Sequence, residues 1–144
     1  MPLITKDVAS EGFNEVTAAD FIDVDSLAAN TQNGGLHVDV DVDRDARTLS
    51  GHLARIEVIR IPFDKFTDGR GFSLARQFRE MGFTGHLRAS GHIVSDQFAF
   101  ALQSGFDQVE IDDAMAERQP ENYWQEAASV KYGYRDKLAQ RQSV

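Results

Sequence analysis

The stretch that decides the fold runs from Ile56 to Ile111, and at its centre lie the segments DGRGFS at residues 68–73 and RASGHI at residues 88–93. Each segment follows a predicted strand and precedes a predicted helix. In parallel α/β folds such strand-to-helix loops lie at the carboxyl edge of the sheet, where ligands usually bind. The two loops therefore locate a candidate site, although they do not specify a reaction.

Hydrophobic patterning predicts four strands around this centre. Residues 36–42 alternate apolar and polar side chains, which is typical of a half-buried strand. The other three strands are predicted at residues 57–63, 86–90 and 108–111. The second is more continuously apolar than alternating, as strands inside a covered sheet tend to be.

Helices are predicted after the second and third strands. Ser73 is the expected N-cap of the first helix, which Gly82 is placed to end. Ser95 or Asp96 is the expected N-cap of the next helix, and Gly105 is placed to end that one.

The repeated order of strand, loop, helix and glycine predicts an α/β fold with right-handed βαβ units and a mainly parallel sheet. About four βα units resemble half of a β/α (TIM-like) barrel. Either the sheet stays open, or two copies associate to cover what one copy leaves exposed; the homodimer is the favoured alternative. We predict one domain with a polar, partly ordered lead-in at residues 1–35, an α/β core at residues 36–119 and a helical segment at residues 120–144 that buries Trp124.

Composition excludes several classes of protein. No apolar run approaches the roughly 18 residues of a membrane span, and the amino terminus lacks a secretory signal, so we predict a cytoplasmic protein that does not bind membranes. The absence of cysteine excludes disulfides, a thiolate nucleophile and an iron–sulfur cluster carried by this chain alone. The net charge of −8 disfavours nucleic acid as a partner, which leaves proteins and small molecules.

Two arginines in the central loops are candidate ligands for an anion. Arg70 and Arg88 carry planar donors suited to a carboxylate, a phosphate or a sulfite-like oxyanion, and unpaired N–H groups at the helix starts would add to the site. In the alternative reading Arg70 pairs with Asp68 and Arg88 with Asp96, and both pairs only fix the loops. Spacing alone slightly favours this second reading.

The segment SGHI at residues 90–93, followed by a helix and GFDQV at residues 105–109, is similar to the phosphate-binding turn late in many flavin-binding β/α barrels. A glycine there lets the backbone approach the phosphate, so Gly91 is a candidate contact for a flavin or another phosphate-bearing ligand. His92 replaces the second glycine often seen in such turns. As a histidine in the candidate site, it is a candidate general acid or base near neutral pH.

Four aspartates follow one another at alternate positions: Asp39, Asp41, Asp43 and Asp45. Three of them on one strand face could bind magnesium or calcium. We favour a solvated strand face whose last carboxylates cap a helix, and we predict no metal site.

Four segments together resemble an uncharacterised bacterial family, domain of unknown function 934. They are IPFDKFTDGRGFSLAR at residues 61–76, GFTGHLRASG at 82–91, SDQ at 95–97 and GFD at 105–107. Members are often labelled probable oxidoreductases, and their genes commonly neighbour those for sulfite reductase and sulfate assimilation. The resemblance implies an accessory protein that assists sulfite reductase or a related oxidoreductase.

The resemblance also gives a set of signature positions. They are Asp68, Gly69, Arg70, Ser73, Arg76, Arg88, Gly91, Asp96 and Gln97. We take Asp68, Asp96 and His92 as candidates for proton transfer. The candidates for binding an anion or cofactor are Arg70, Ser73, Arg76, Arg88, Gly91 and Gln97. Three functions stay open: the accessory protein, an enzyme or sensor of a phosphorylated or oxyanionic small molecule, and a structural dimer without a ligand.

Overall fold

The computed structural model describes residues 1–17, 19–65 and 67–128, which form a single seven-stranded sheet with helices. The strands are β1 (Pro2–Thr5), β2 (Asn14–Glu15), β3 (Phe21–Asp23), β4 (Leu36–Asp39), β5 (Ile56–Phe63), β6 (His86–Gly91) and β7 (Gln108–Glu110). The α-helices are α1 (Val8–Glu11), α2 (Val24–Leu27), α3 (Arg70–Glu80), α4 (Phe98–Ser104), α5 (Asp113–Arg118) and α6 (121–128). Short 3-10 helices span Ala46–Leu49, Leu53–Arg55 and Ser95–Gln97.

The sheet is mostly parallel, as the sequence predicts. Its strands lie in the order β2-β1-β7-β6-β5-β4-β3. Strands β3 to β7 are parallel and neighbour one another in chain order, whereas β1 is antiparallel to both β7 and β2. Among the described residues, the first strand is thus paired with the last.

Residues 1–35, expected to be a polar lead-in, supply three strands of this sheet. Ile4, Val8 and Leu27 from this segment are almost completely buried in the main core. Burial of three large apolar side chains stabilises the fold by several kcal/mol, at roughly 1.5 to 3 kcal/mol for each. The segment is therefore an integral part of the core.

The helix starts differ from those predicted. Helix α3 begins at Arg70 with Gly69 before it, so Ser73 lies inside the first turn and is not the N-cap. Ser95 and Asp96 lie in a 3-10 helix that precedes α4, so neither of them is the N-cap of α4. A side-chain cap is one of several ways to satisfy the first N–H groups of a helix. A serine or aspartate near the expected start therefore does not by itself locate the first residue of the helix.

The helix ends are those predicted. Gly82 follows α3 with φ of 96°, and Gly105 follows α4 with φ of 115°. These left-handed conformations are strained for any residue with a Cβ atom, so glycine ends both helices at little cost.

The main core lies between the helices and one face of the sheet, which we call the first face. Its strand residues include Val38, Ile59, Leu87 and Val109, all with no solvent exposure. Trp124 of α6 is also fully buried, as predicted: its ring packs edge-on against Phe98, and its Nε1–H donates to the Gln119 carbonyl at 2.9 Å. Residues 129–144 of the predicted helical segment lie outside the described residues.

Arg79 at the end of α3 holds several loops together. Its guanidinium donates to the carbonyl oxygens of Gly105, Phe83 and Gly85 at 2.9, 2.9 and 2.8 Å. Burial lowers the pKa of Arg79 from its ordinary value, and the nearby charge of Asp107 acts in the opposite direction.

We therefore expect Arg79→Ala to lower the free energy of unfolding by about 2 to 3 kcal/mol, because three carbonyl oxygens lose a charged donor. Urea denaturation followed by circular dichroism measures this loss. Arg76→Ala is the matched control, since Arg76 lies on the same helix but is exposed. Equal stability of the two variants would contradict the assigned role of Arg79.

Among the described residues, every helix is too short or too polar to cross a lipid bilayer.

Candidate functional site

The face of the sheet opposite the first face carries paired charges, and we call it the second face. Strand register places Asp39, Arg60, Arg88 and Gln108 in one row across β4, β5, β6 and β7. The next row contains Pro62, Ser90, Glu110 and Leu3. Side chains of register partners project to the same side of a sheet, so these residues share one surface.

The charged side chains of the second face bind one another in pairs of opposite sign. Arg60 holds Asp39 in a bidentate pair, with Nε–Oδ1 and Nη2–Oδ2 distances of 2.6 and 2.9 Å. Arg88 donates to Gln108 at 2.9 Å and to Glu110 at 3.1 Å. The bond to Asp39 raises the pKa of Arg60. The four charged residues form one neutral network, which we call the charge ladder.

Glu110 joins the two halves of the charge ladder. Its carboxylate lies 3.3 Å from Arg60 and 3.1 Å from Arg88, and the side chains of Glu110 and Arg88 are only 7% and 8% exposed. Arg60 and Arg88 are direct neighbours in strand register, and like charges in that position repel each other. The Glu110 carboxylate between them therefore offsets that repulsion.

Sequence reasoning missed most of the charge ladder. Arg60 and Glu110 were not candidates, and Arg88 was paired with the wrong carboxylate: Asp96 is exposed, and Arg88 binds Glu110. A signal did exist, because Arg60 lies between Ile59 and Ile61, and Glu110 lies between Val109 and Ile111. Their pairing depends on strand register, which no local pattern specifies.

Asp68 and Arg70, the centre of the first loop, bind each other as the structural alternative predicts. Arg70 Nη2 lies 2.7 Å from Asp68 Oδ2, and its Nε lies 3.0 Å from Oδ1. Arg70 Nη1 also donates to Asp43. Hydrogen bonds from the Arg70 side chain and backbone lower the pKa of Asp68 from 3.8 to about 2.

Removal of Arg70 is expected to return the pKa of Asp68 towards 3.8, because the hydrogen bonds from its side chain are the largest cause of the shift. Carboxyl NMR titration of Arg70→Ala measures the change, and Arg47→Ala, which removes a guanidinium bound to Asp45 instead, is the control. Since the folded-state pKa is depressed, this pair stabilises the fold fully above about pH 4, and the contribution is lost as the pH falls towards 2. An unchanged Asp68 titration in Arg70→Ala would refute the assignment.

An open cleft of about 520 Å³ lies beside Arg70, near the carboxyl ends of β4 and β5. Four aspartates and two arginines line it together with apolar and hydroxyl side chains: Asp41, Val42, Asp43, Arg44, Asp45, Thr48, Pro62, Asp64 and Arg70. The excess of carboxylates repels anions. The cleft is therefore a poor site for phosphate or sulfite.

The four alternating aspartates do not act as one group. Asp39 binds Arg60, Asp43 binds Arg70, and Asp45 accepts from the backbone N–H of Arg47 at the start of a 3-10 helix. Asp41 lines the cleft. Within the described residues, no cluster of three or more histidine, aspartate or glutamate side chains could hold a metal ion.

Gly91 does form a turn, with φ of 97°. A Cβ atom at this position would lie 2.7 Å from the Phe63 carbonyl oxygen. The close approach that requires glycine here is thus an approach to the neighbouring strand. The backbone N–H of His92 donates to the same Phe63 oxygen at 2.9 Å, which fixes the turn.

The other signature residues lie on or near the helices. Gln97 accepts from the Val94 N–H at 3.1 Å and so fixes the start of its 3-10 helix. Ser73 and Arg76 are exposed on α3, and their side chains make no hydrogen bond or ion pair within the described part of the chain. Arg70 and Arg88 bind separate sets of partners: Arg70 binds Asp68 and Asp43, and Arg88 binds Gln108 and Glu110.

Comparison with known proteins gives one match. A family model described as a bacterial protein of unknown function (DUF934) matches residues 37–144. No curated protein and no solved structure matches the chain.

Proposed function

The chain belongs to this bacterial family of unknown function, and from that premise we propose that it is a cytoplasmic accessory protein of sulfite reduction that acts by binding an oxidoreductase. The partner is suggested by the gene neighbourhood that the family resemblance implies. The observation that carries the proposal is that Arg70 and Arg88 both form ion pairs within the chain. Each is already bound to carboxylates of its own chain, so neither offers a free cation to a small anion.

The chemistry of the candidate loop also favours a binding role. A general acid or base works best when its pKa lies near the working pH. Asp68, with a pKa of about 2, is a weak base and stays deprotonated near neutral pH. Asp96 is exposed, and Arg88 binds Glu110 instead of Asp96.

The surface we assign to the partner is the outer side of α3, formed by Arg70, Ser73 and Arg76. Arg70 is 58% exposed, and all three residues belong to the family signature. The packing of the described chain does not account for Ser73 and Arg76, because their side chains contact no polar partner in it. Residues that the fold does not need are suited to contacts with another protein, and arginine is enriched in such contacts.

The proposal is tested by binding purified sulfite reductase from the same bacterium to the immobilised chain. We expect the wild-type chain to bind and Arg76→Glu to weaken the affinity at least about tenfold, as a central interface arginine does. Arg118→Glu is the matched control: it makes the same charge change at an exposed residue of α5. It should bind like the wild type.

A second measurement excludes a merely electrostatic attraction. A strain that lacks the gene should grow more slowly with sulfate as the sulfur source than with cysteine, and the Arg76→Glu gene should not restore growth. Normal growth of the deleted strain on sulfate, together with no binding by the wild-type chain, would disprove the proposal.

A further inference from the structure

Helix α4 presents an exposed aromatic ring beside the outer side of α3. Of the phenylalanines that the structure describes, only Phe100 is exposed, with 45% of its surface accessible to solvent. Its ring packs edge-on against Phe72 of α3, and the two ring centroids lie 4.8 Å apart. Phe72 directly precedes Ser73 and lies one helical turn from Arg76. Phe100 therefore extends the surface assigned to the partner onto the neighbouring helix.

The composition of α4 is unusual for a helix at the surface. Its sequence, FAFALQS, contains no charged side chain, although 26% of the residues of the whole chain are charged. Three of its residues reach solvent: Phe100, Leu102 and Gln103. The core of a protein interface is enriched in aromatic residues and depleted of charged ones. The outer side of α4 has the composition of such a core.

We propose that α3 and α4 together form the docking surface for the oxidoreductase, and that the complementary surface of that protein is an apolar pocket for Phe100 bordered by carboxylates. The inference rests on the proposed function, and it adds the chemistry of the partner's surface. Phe100 supplies the apolar contact, and Arg76 supplies the charged one.

Charge identifies the complementary surface as acidic. Helix α3 carries three arginines and one glutamate, and α4 carries no charge, whereas the chain as a whole has a net charge of −8. Arg76 is exposed, and no carboxylate of the described chain binds it. An arginine in this state can bind a carboxylate of another protein through two parallel hydrogen bonds.

The same surface does not fit a second copy of the chain or a nucleic acid. An isologous dimer brings the same surface from both copies together, so two basic helices would meet and repel each other. A nucleic acid is repelled by the net charge of −8 of the chain. An acidic protein surface with an apolar pocket gains from both helices.

Paired variants test the apolar contact. Binding of purified sulfite reductase to the immobilised chain is measured for Phe100→Ser and for Tyr123→Ser, which removes a ring that is 46% exposed on α6. We expect Phe100→Ser to weaken the affinity at least about tenfold, mainly through faster dissociation, and Tyr123→Ser to bind like the wild type. The loss in Phe100→Ser should be the same at low and at high salt, whereas the loss in Arg76→Glu should shrink at high salt. Circular dichroism checks that each variant is folded.

A photo-crosslink identifies the complementary surface directly and keeps an aromatic side chain at the tested position. The variants Phe100→p-benzoylphenylalanine and Tyr123→p-benzoylphenylalanine are irradiated with sulfite reductase, and the crosslinked peptides are identified by mass spectrometry. We expect the first variant alone to crosslink to the reductase. The crosslinked peptide should contain apolar residues beside aspartate or glutamate.

The outcomes separate this inference from the proposed function. If Arg76→Glu weakens the binding of the reductase and Phe100→Ser does not, the proposed function stands and the assigned role of α4 is wrong. A crosslinked peptide without carboxylates, or a crosslink between two copies of the chain in place of one to the reductase, also overturns the inference. If the wild-type chain does not bind the reductase, the inference fails, and growth of the deleted strain on sulfate then decides the proposed function separately.

Discussion

Glu110→Gln is expected to lower the free energy of unfolding by about 3 kcal/mol, because it leaves two neighbouring arginines with too little negative charge. Glu110 is the only carboxylate of the charge ladder that contacts both Arg60 and Arg88. Glutamine keeps the size and one acceptor of glutamate, so the loss measures charge and not volume. Urea denaturation at a fixed protein concentration, followed by circular dichroism, gives the value.

A double-mutant cycle measures the interaction between Glu110 and Arg88 separately from the other contacts of each residue. Arg88→Met removes the more buried arginine, and in the double variant with Glu110→Gln no buried charge is left unpaired at Arg88. We expect the two losses to be less than additive by about 1 to 3 kcal/mol. Glu80→Gln, at an exposed position of α3, is the control and should cost less than about 0.5 kcal/mol. Loss of under about 1 kcal/mol in Glu110→Gln would show that the charge ladder does not stabilise the fold.

Trp124→Ala is expected to cost about 3 to 5 kcal/mol, the range for removing a large aromatic side chain from a core. Trp124 is completely buried, contacts Phe98 and donates to the Gln119 carbonyl. Its loss leaves a cavity between α6 and α4 and frees α6 from the core. Because Trp124 is the only tryptophan of the chain, circular dichroism must replace fluorescence in this variant.

Tyr123→Ala is the matched control for Trp124→Ala. Tyr123 is the preceding residue of the same helix and is 46% exposed, so its replacement should cost less than about 1 kcal/mol. Unfolding of both variants at the same urea concentration would mean that the helix, and not the buried ring, determines the stability.

The segment from β5 to β7 could be predicted because its signals are local. Apolar runs, helical periodicity and the glycines at residues 82 and 105 all lie within a few residues of the elements they define. The pair formed by Asp68 and Arg70 is local in the same sense, since the two residues are separated by only one other residue.

The remaining features depend on contacts between distant parts of the chain. Strands β2 and β3 have two and three residues, too few for an alternating pattern to be recognised. The antiparallel position of β1 is set by pairing with β7. Glu110 meets Arg60 across 50 residues of sequence, so the charge ladder becomes visible only once the strand register is known.

The pairing of β1 with β7 also determines when the sheet can be completed during synthesis. Leu3, Ile4 and Thr5 pair with Glu110, Val109 and Gln108. At about 5 to 20 residues per second, the ribosome needs on the order of 5 to 20 s to make the roughly 100 residues that separate the two strands. Before β7 is made, β1 can pair with β2 alone, and its other edge stays unpaired while the unit of β5, α3 and β6 forms from neighbouring residues. The amino-terminal residues are thus made first but are among the last to join the complete sheet. The nascent chain must therefore protect the apolar side chains of Leu3 and Ile4 from other chains until β7 has emerged.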